Sequence, residues 1–150
     1  MYKISQKKGS KNNDNTKQKL LDFIYSSVDL SKYRYEMIET NSDLPKIFNK
    51  NFYLTPNFVG NNCLLVFTKL RDKYYSFLID RKTLSYSKNR VDISKVDLKY
   101  VNVDIDSKIF SGTIFDGVSV KVNNIEQFII SDTYLFQGND YTNVSLDIKL

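Results

Sequence analysis

The chain contains no histidine, no tryptophan and no alanine, and only one cysteine, two prolines and five glycines in 150 residues. Each absence excludes something. Without histidine there is no Ser-His or Cys-His catalysis, no His-ligated zinc and no imidazole base. A single cysteine, Cys63, rules out an internal disulfide. It heads the apolar run CLLVF and reads as a small core residue rather than a nucleophile. That usage suits a reducing, cytoplasmic compartment. No apolar run approaches the roughly 18 residues that a membrane span needs, so no membrane partner is expected. The opening MYKISQKKGSKNNDN lacks the apolar stretch of a secretory signal. No Walker loop, calcium-binding loop, dinucleotide fingerprint or zinc-ligand spacing occurs, so neither cofactor nor metal is expected. The missing alanine, beside plentiful asparagine, lysine, isoleucine and tyrosine, resembles the codon bias of an AT-rich genome and bears on source, not chemistry.

What is present is positive charge. The formal net charge is +5, which is compatible with a polyanionic partner such as RNA. Much of the excess lies early, where Lys3, Lys7, Lys8, Lys11, Lys17 and Lys19 face one acid, Asp14. Residues 1–16 are polar, basic and rich in Asn, Ser and Gly, and are expected to form a disordered tail. Residues 17–150 are expected to form a single domain.

From Lys17 the pattern is helical, with Leu20, Leu21, Phe23, Ile24 and Val28 on one face. A second short helix is expected near 42–49, with Ser42 or Asp43 as its cap and Pro45 in its first turn. Beyond it the chain is β-rich. CLLVFTKL and YYSFLID read as a hairpin turning at Arg71-Asp72-Lys73. DLKYVNVDI alternates as a strand does, which places Asp104 and Asp106 on one face. GTIFDGVSVKV carries Asp116-Gly117 between two apolar runs, a strong signal for a tight hairpin turn. EQFIISDTYLF reads as a long strand bent at Ser131-Asp132. The expected class is α+β: one or two N-terminal helices packed on a mainly antiparallel sheet.

The order of these pieces carries more than any one of them. FYLTPNFVGNNCLLVF, YYSFLIDRK, GTIFDGVSV and EQFIISDTYLFQG follow one another across 52–138. The succession resembles the N-terminal half of the nucleotidyltransferase domain of mRNA guanylyltransferases and nucleotide-dependent ligases, closest to the capping enzymes. In that family a Lys-x-Asp-Gly-x-Arg motif supplies the nucleophilic lysine. A strand ending in an LIDR-like sequence, an apolar-Asp-Gly-Glu hairpin and an FxIxD-type strand follow. Here Asp80-Arg81, Asp116-Gly117 and Asp132 match, and Gly60 matches the motif glycine. Asn57 stands in the lysine's place, Val59 in the aspartate's, Asn62 in the arginine's, and Val118 in the place of the hairpin glutamate. An amide nitrogen is delocalised and is no nucleophile. Lys69 would sit at the far end of its strand from the nucleophile turn. The residues after Asp132 do not supply the family's later metal and phosphate motifs.

The resemblance therefore implies a catalytically inactive relative, with no catalytic residue, that binds RNA, a nucleotide or capped mRNA, or joins another protein of an RNA-processing complex. Together with the codon bias it points to a large DNA virus, with a viral factory or virion as possible locations. Candidate binding residues are Asn57, Gly60, Asn62, Arg81, Lys82, Asp116, Phe128 and Asp132. Arg81 and Lys82 would contact phosphate. Tyr74, Tyr75, Phe128, Tyr134 and Phe136 are candidates for base stacking. Lys32 to Glu36 (KYRYE) interleaves basic and aromatic residues in a way that suits RNA. Two other readings stay open: an interaction protein docking through its sheet, and a fragment of an active guanylyltransferase completed by other residues or chains.

Overall fold

The computed structural model describes residues 14–33, 39–45 and 56–149. It is α+β. A helix, α1 (Asp14–Ser27), precedes six antiparallel strands: β1 (Asn61–Leu70), β2 (Lys73–Asp80), β3 (Leu98–Tyr100), β4 (Thr113–Val122), β5 (Ile125–Phe136) and β6 (Asn139–Asp140). A four-residue helix, α2 (Leu146–Lys149), follows. The sheet order is β3-β2-β1-β4-β5-β6.

Helix α1 forms because its apolar residues recur at helical spacing. Leu20, Leu21 and Ile24 are buried, and Val28 continues the stripe just past its end. It begins at Asp14, inside the stretch expected to be tail, with the acid placed favourably in the first turn. The stripe packs on one face of the sheet against Leu64, Val66, Phe77, Ile79 and Ile114. The segment 84–96 wraps the outside of the helix. Lys17 donates to the Val96 carbonyl at 3.1 Å, Lys88 pairs with Asp22 at 2.8 Å, and the Tyr25 hydroxyl donates to the Ser85 carbonyl.

The other face carries a second core of Cys63, Leu65, Phe67 and Leu78, covered by Val101 and Ile109. Here the expected strand DLKYVNVDI ends early. The regular strand is only Leu98–Tyr100; Val101 still bonds to Ser76 of β2 and Asn102 makes one further bridge, and the chain then leaves the sheet to lay Val103, Ile105 and Ile109, after Val101, over that face. Asp104 and Asp106 are therefore not ranged along a strand, and Asp106 instead caps a 3-10 turn by accepting from the Lys108 amide at 2.9 Å.

The hairpin β1–β2 turns at Arg71 and Asp72, both with positive φ (47° and 63°), as expected for a two-residue connection. Asp116-Gly117 is not a turn. It lies inside β4, where Leu64 pairs with Asp116 and Cys63 with Gly117. The turn falls at Asn123 and Asn124 instead, both left-handed at φ 49° and 63°. Asparagine tolerates that region. Gly117 serves the close approach of two strands, since a Cβ there would lie 2.1 Å from the Ile129 carbonyl oxygen and 2.8 Å from the Phe128 ring. β5 carries two irregularities that skip Ser131 and Tyr134 in its pairing with β4. The first is the bend read at Ser131-Asp132.

The sheet also curls. Lys99 in β3 is ion-paired with Glu126 in β5, although β2, β1 and β4 lie between them. Four inter-strand steps of roughly 4.8 Å exceed the reach of the two side chains across a flat sheet. The face carrying Cys63 is therefore concave.

The expected helix near 42–49 falls partly on undescribed residues. A 3-10 turn occupies Asn41–Asp43, preceded by Thr40, and residues 46–55 lie outside the described residues. Residues 34–36 of the KYRYE stretch also lie outside the described residues.

Candidate functional site

The strand ends of β1, β2 and β4 bring several candidate residues together beneath α1. Asp80 closes β2 and caps the next turn, its carboxylate accepting from the Lys82 amide at 2.8 Å. That turn sends the Arg81 side chain inward, where it is 10% exposed and its Nε lies 3.9 Å from Oδ1 of Asp116. The same carboxylate accepts from the Tyr134 hydroxyl on Oδ2 at 2.9 Å. Tyr134 packs against Tyr33 with ring centroids 4.2 Å apart and the rings tilted by 36°. Asp132, paired with Asp116 across the strands, accepts from Lys149 at 3.0 Å.

These contacts leave two buried polar atoms without a hydrogen-bond partner: Nη1 of Arg81 and Oδ1 of Asp116. A buried unpartnered polar atom is costly. Burial pushes the Asp116 carboxyl above its usual range, and Asp132 adds to this, while Arg81 and the Tyr134 hydrogen bond oppose it. Burial also raises the Tyr134 phenol, with the Asp116 charge adding to the effect. The Tyr33 phenol is pushed up to about 12 by burial, then by Asp132.

Beside this cluster lies a cavity of about 310 Å³, lined in part by Asn62, Arg81, Lys82, Ser85 and Tyr86. The structure thus gathers Asn62, Arg81 and Lys82 in one wall, with Asp116 and Asp132 behind it. Gly60 lies beside them against β4: a Cβ there would come within 2.4 Å of the Ser119 carbonyl oxygen. Close packing of the sheet is enough to require glycine at this position. Asn57 is exposed ahead of β1. Phe128 belongs to the concave face, as does Phe136. Tyr75 packs with the helix-side core and Tyr134 is buried in it. Tyr74 is exposed and lies against Phe110. Lys69 stands at the hairpin end of β1, paired with Asp72 at 3.0 Å.

A larger cavity, about 610 Å³, opens on the concave face between Phe67, Phe115, Phe128 and Ile130 of the sheet and Val103 and Ile105 of the covering segment. Its lining is mainly apolar, with Asp106, Gln127 and Gln137 among the residues around it. Among the described residues no cluster of three His, Cys, Asp or Glu side chains is placed to hold a metal ion.

Tyr86 is a site residue that sequence reasoning misses. It sits in a loop with no motif, and its place is set by the packing of residues 84–96 on α1.

The fold and site define an α+β domain with a curled six-stranded antiparallel sheet and a basic cavity at one sheet end. No family model matches the chain. Over 123 residues it is 26% identical to an uncharacterized protein of Acanthamoeba polyphaga mimivirus, a match covering 82% of this chain and 37% of that protein. The match therefore spans little more than a third of the viral protein's length. Among the described residues no helix is long and apolar enough to cross a membrane.

Proposed function

We propose that the chain is a non-catalytic, nucleotidyltransferase-like domain that binds RNA or a nucleotide. The observation that carries this reading is the Arg81 guanidinium, nine-tenths buried, one nitrogen unpartnered, in the wall of a cavity that also holds Asn62 and Lys82. An arginine fork of this kind suits phosphate oxygens. The net charge of +5 favours the same class of partner. The lack of catalysis rests on Asn57 in the nucleophile's place and on Lys69, the nearest lysine of β1, lying at the strand's opposite end and engaged with Asp72.

Two measurements test this. Incubation with α-labelled GTP or ATP and a divalent metal should leave no covalent label on the protein, and a labelled band would overturn the non-catalytic reading. Titration with GTP, cap analogue and short RNA, followed by tyrosine fluorescence and melting temperature, should show saturable binding. The absence of any response would favour the interaction-protein reading, which the 610 Å³ apolar cavity on the opposite face supports.

A further inference from the structure

The cavity of about 610 Å³ on the concave face is larger than imperfect packing accounts for. Native interiors hold few voids bigger than a water molecule. Atoms that line an empty void forgo dispersion contacts on one side. Even apolar cavities of about 150 Å³ stay dry and take up benzene-sized guests. The volume here falls within the range of small-molecule pockets. Phe67, Phe115, Phe128 and Phe136 stand around it, the first two edge-to-face with centroids 6.4 Å apart.

Charge narrows the class of guest. Among the described residues no lysine or arginine lines this cavity, and its one acidic side chain is Asp106. Asp106 caps the 3-10 turn Ser107–Ser111, where one carboxylate oxygen accepts from the Lys108 amide at 2.9 Å. The turn thus fixes the carboxylate beside the cavity, and its second oxygen can accept from a guest. An anionic guest would face that carboxylate with no cation to offset the repulsion. A neutral guest gains burial alone. A cationic head gains from Asp106, and phenyl faces attract cations as well.

We infer that this cavity binds a small apolar amine, with its hydrocarbon body among the phenylalanine rings and its ammonium group at Asp106. The site lies on the opposite face of the sheet from Arg81 and does not depend on the nucleotide-binding reading.

The test is isothermal titration calorimetry of the full chain with octylamine, octanol and octanoate, which share one hydrocarbon chain and differ in the head group. The net charge of +5 favours octanoate nonspecifically, so a preference for the amine has to come from the site. Octylamine should bind about threefold tighter than octanol, and octanoate should bind weakest. Asp106→Asn keeps an oxygen for the Lys108 amide and removes the charge, so it should bring amine and alcohol level. The chain has no tryptophan, so Ile130→Trp, at a lining position 43% exposed, supplies a reporter whose emission should shift to the blue with octylamine. Neither heat nor a change in melting temperature with any of the three overturns the guest site. Octanol or octanoate binding as tightly as octylamine overturns the amine assignment. An amine preference that survives Asp106→Asn, or binding that leaves the introduced tryptophan's emission unmoved, places the amine elsewhere and overturns the inference too.

Discussion

Tyr134 donates its hydroxyl hydrogen to Oδ2 of Asp116 over 2.9 Å, on the face of the sheet that α1 covers. The other carboxylate oxygen is buried without a hydrogen-bond partner, and the Arg81 guanidinium lies 3.9 Å from it. Removing one member of such a trio leaves an uncompensated group inside the fold. Asp116→Leu is expected to destabilise the protein by about 3 kcal/mol in urea unfolding. The double variant Arg81→Met/Asp116→Leu should recover a large part of that loss. A double variant as unstable as the single one would show that the pair is not the source.

The same carboxyl sets a pH dependence. Burial raises its folded pKa above the unfolded value of about 3.9. Between those two values the folded chain keeps a proton that the unfolded chain has released. Stability therefore falls as pH rises through that window and levels off above the folded pKa. Asp22, Asp29, Asp92 and Asp140 have lowered pKa values, so their stabilising share is lost in the opposite direction, as pH falls. Melting temperatures of the parent and Asp116→Asn, compared from about pH 3 to pH 7, separate the two effects. The parent should lose stability relative to the variant on the way up. A constant difference between the two would contradict this.

Gly117→Ala should cost about 3 kcal/mol, the upper end of what overpacking costs, because the new methyl would meet the Ile129 carbonyl oxygen at 2.1 Å. Gly138→Ala tests strain of a different kind. Its φ is +83°, but the nearest atom to a new methyl is 3.6 Å away, so its cost should be smaller, about 1 kcal/mol. Equal denaturation midpoints for the two variants would argue against close strand approach as the reason for glycine in β4.

Cys63 should be inert in the folded protein. Burial, then the charges of Asp80 and Glu126, push its thiol up to about 11, which leaves little thiolate at neutral pH. A chromogenic disulfide reagent should label it only after denaturant is added. Rapid labelling of the native chain would mean that the concave face opens readily.

Much of the fold is legible in the sequence where the signal is local. The apolar stripe of α1, the β1–β2 hairpin and the bend in β5 each follow from residues adjacent in the chain. Asp116-Gly117 shows where that stops. A dipeptide cannot reveal that β1 will lie beside it, pairing Cys63 with Gly117. Once that pairing exists the glycine is needed for close approach, and the two asparagines at 123 and 124 make the turn instead. The candidate site divides in the same way. The order of Asp80-Arg81, Asp116 and Asp132 is visible in the sequence. The meeting of Arg81 with Asp116 depends on the end of β2, a 3-10 turn and the pairing of β1 with both β2 and β4 acting together. Phe128 packs on the concave face with Cys63, Leu65 and Phe67, away from Arg81 and Asp116, because the strand register and not the motif decides which face a side chain takes.

The Lys99–Glu126 ion pair spans the curled sheet as a tie-rod spans an arch. An arch held at its feet keeps its curvature, and the apolar chamber beneath this one takes its width from that curvature. The pair is partly exposed, at 37% and 21%, and so open to screening by salt. Added salt is therefore expected to slacken the tie by about 1 kcal/mol or less, while the strand ladders on either side hold the arch.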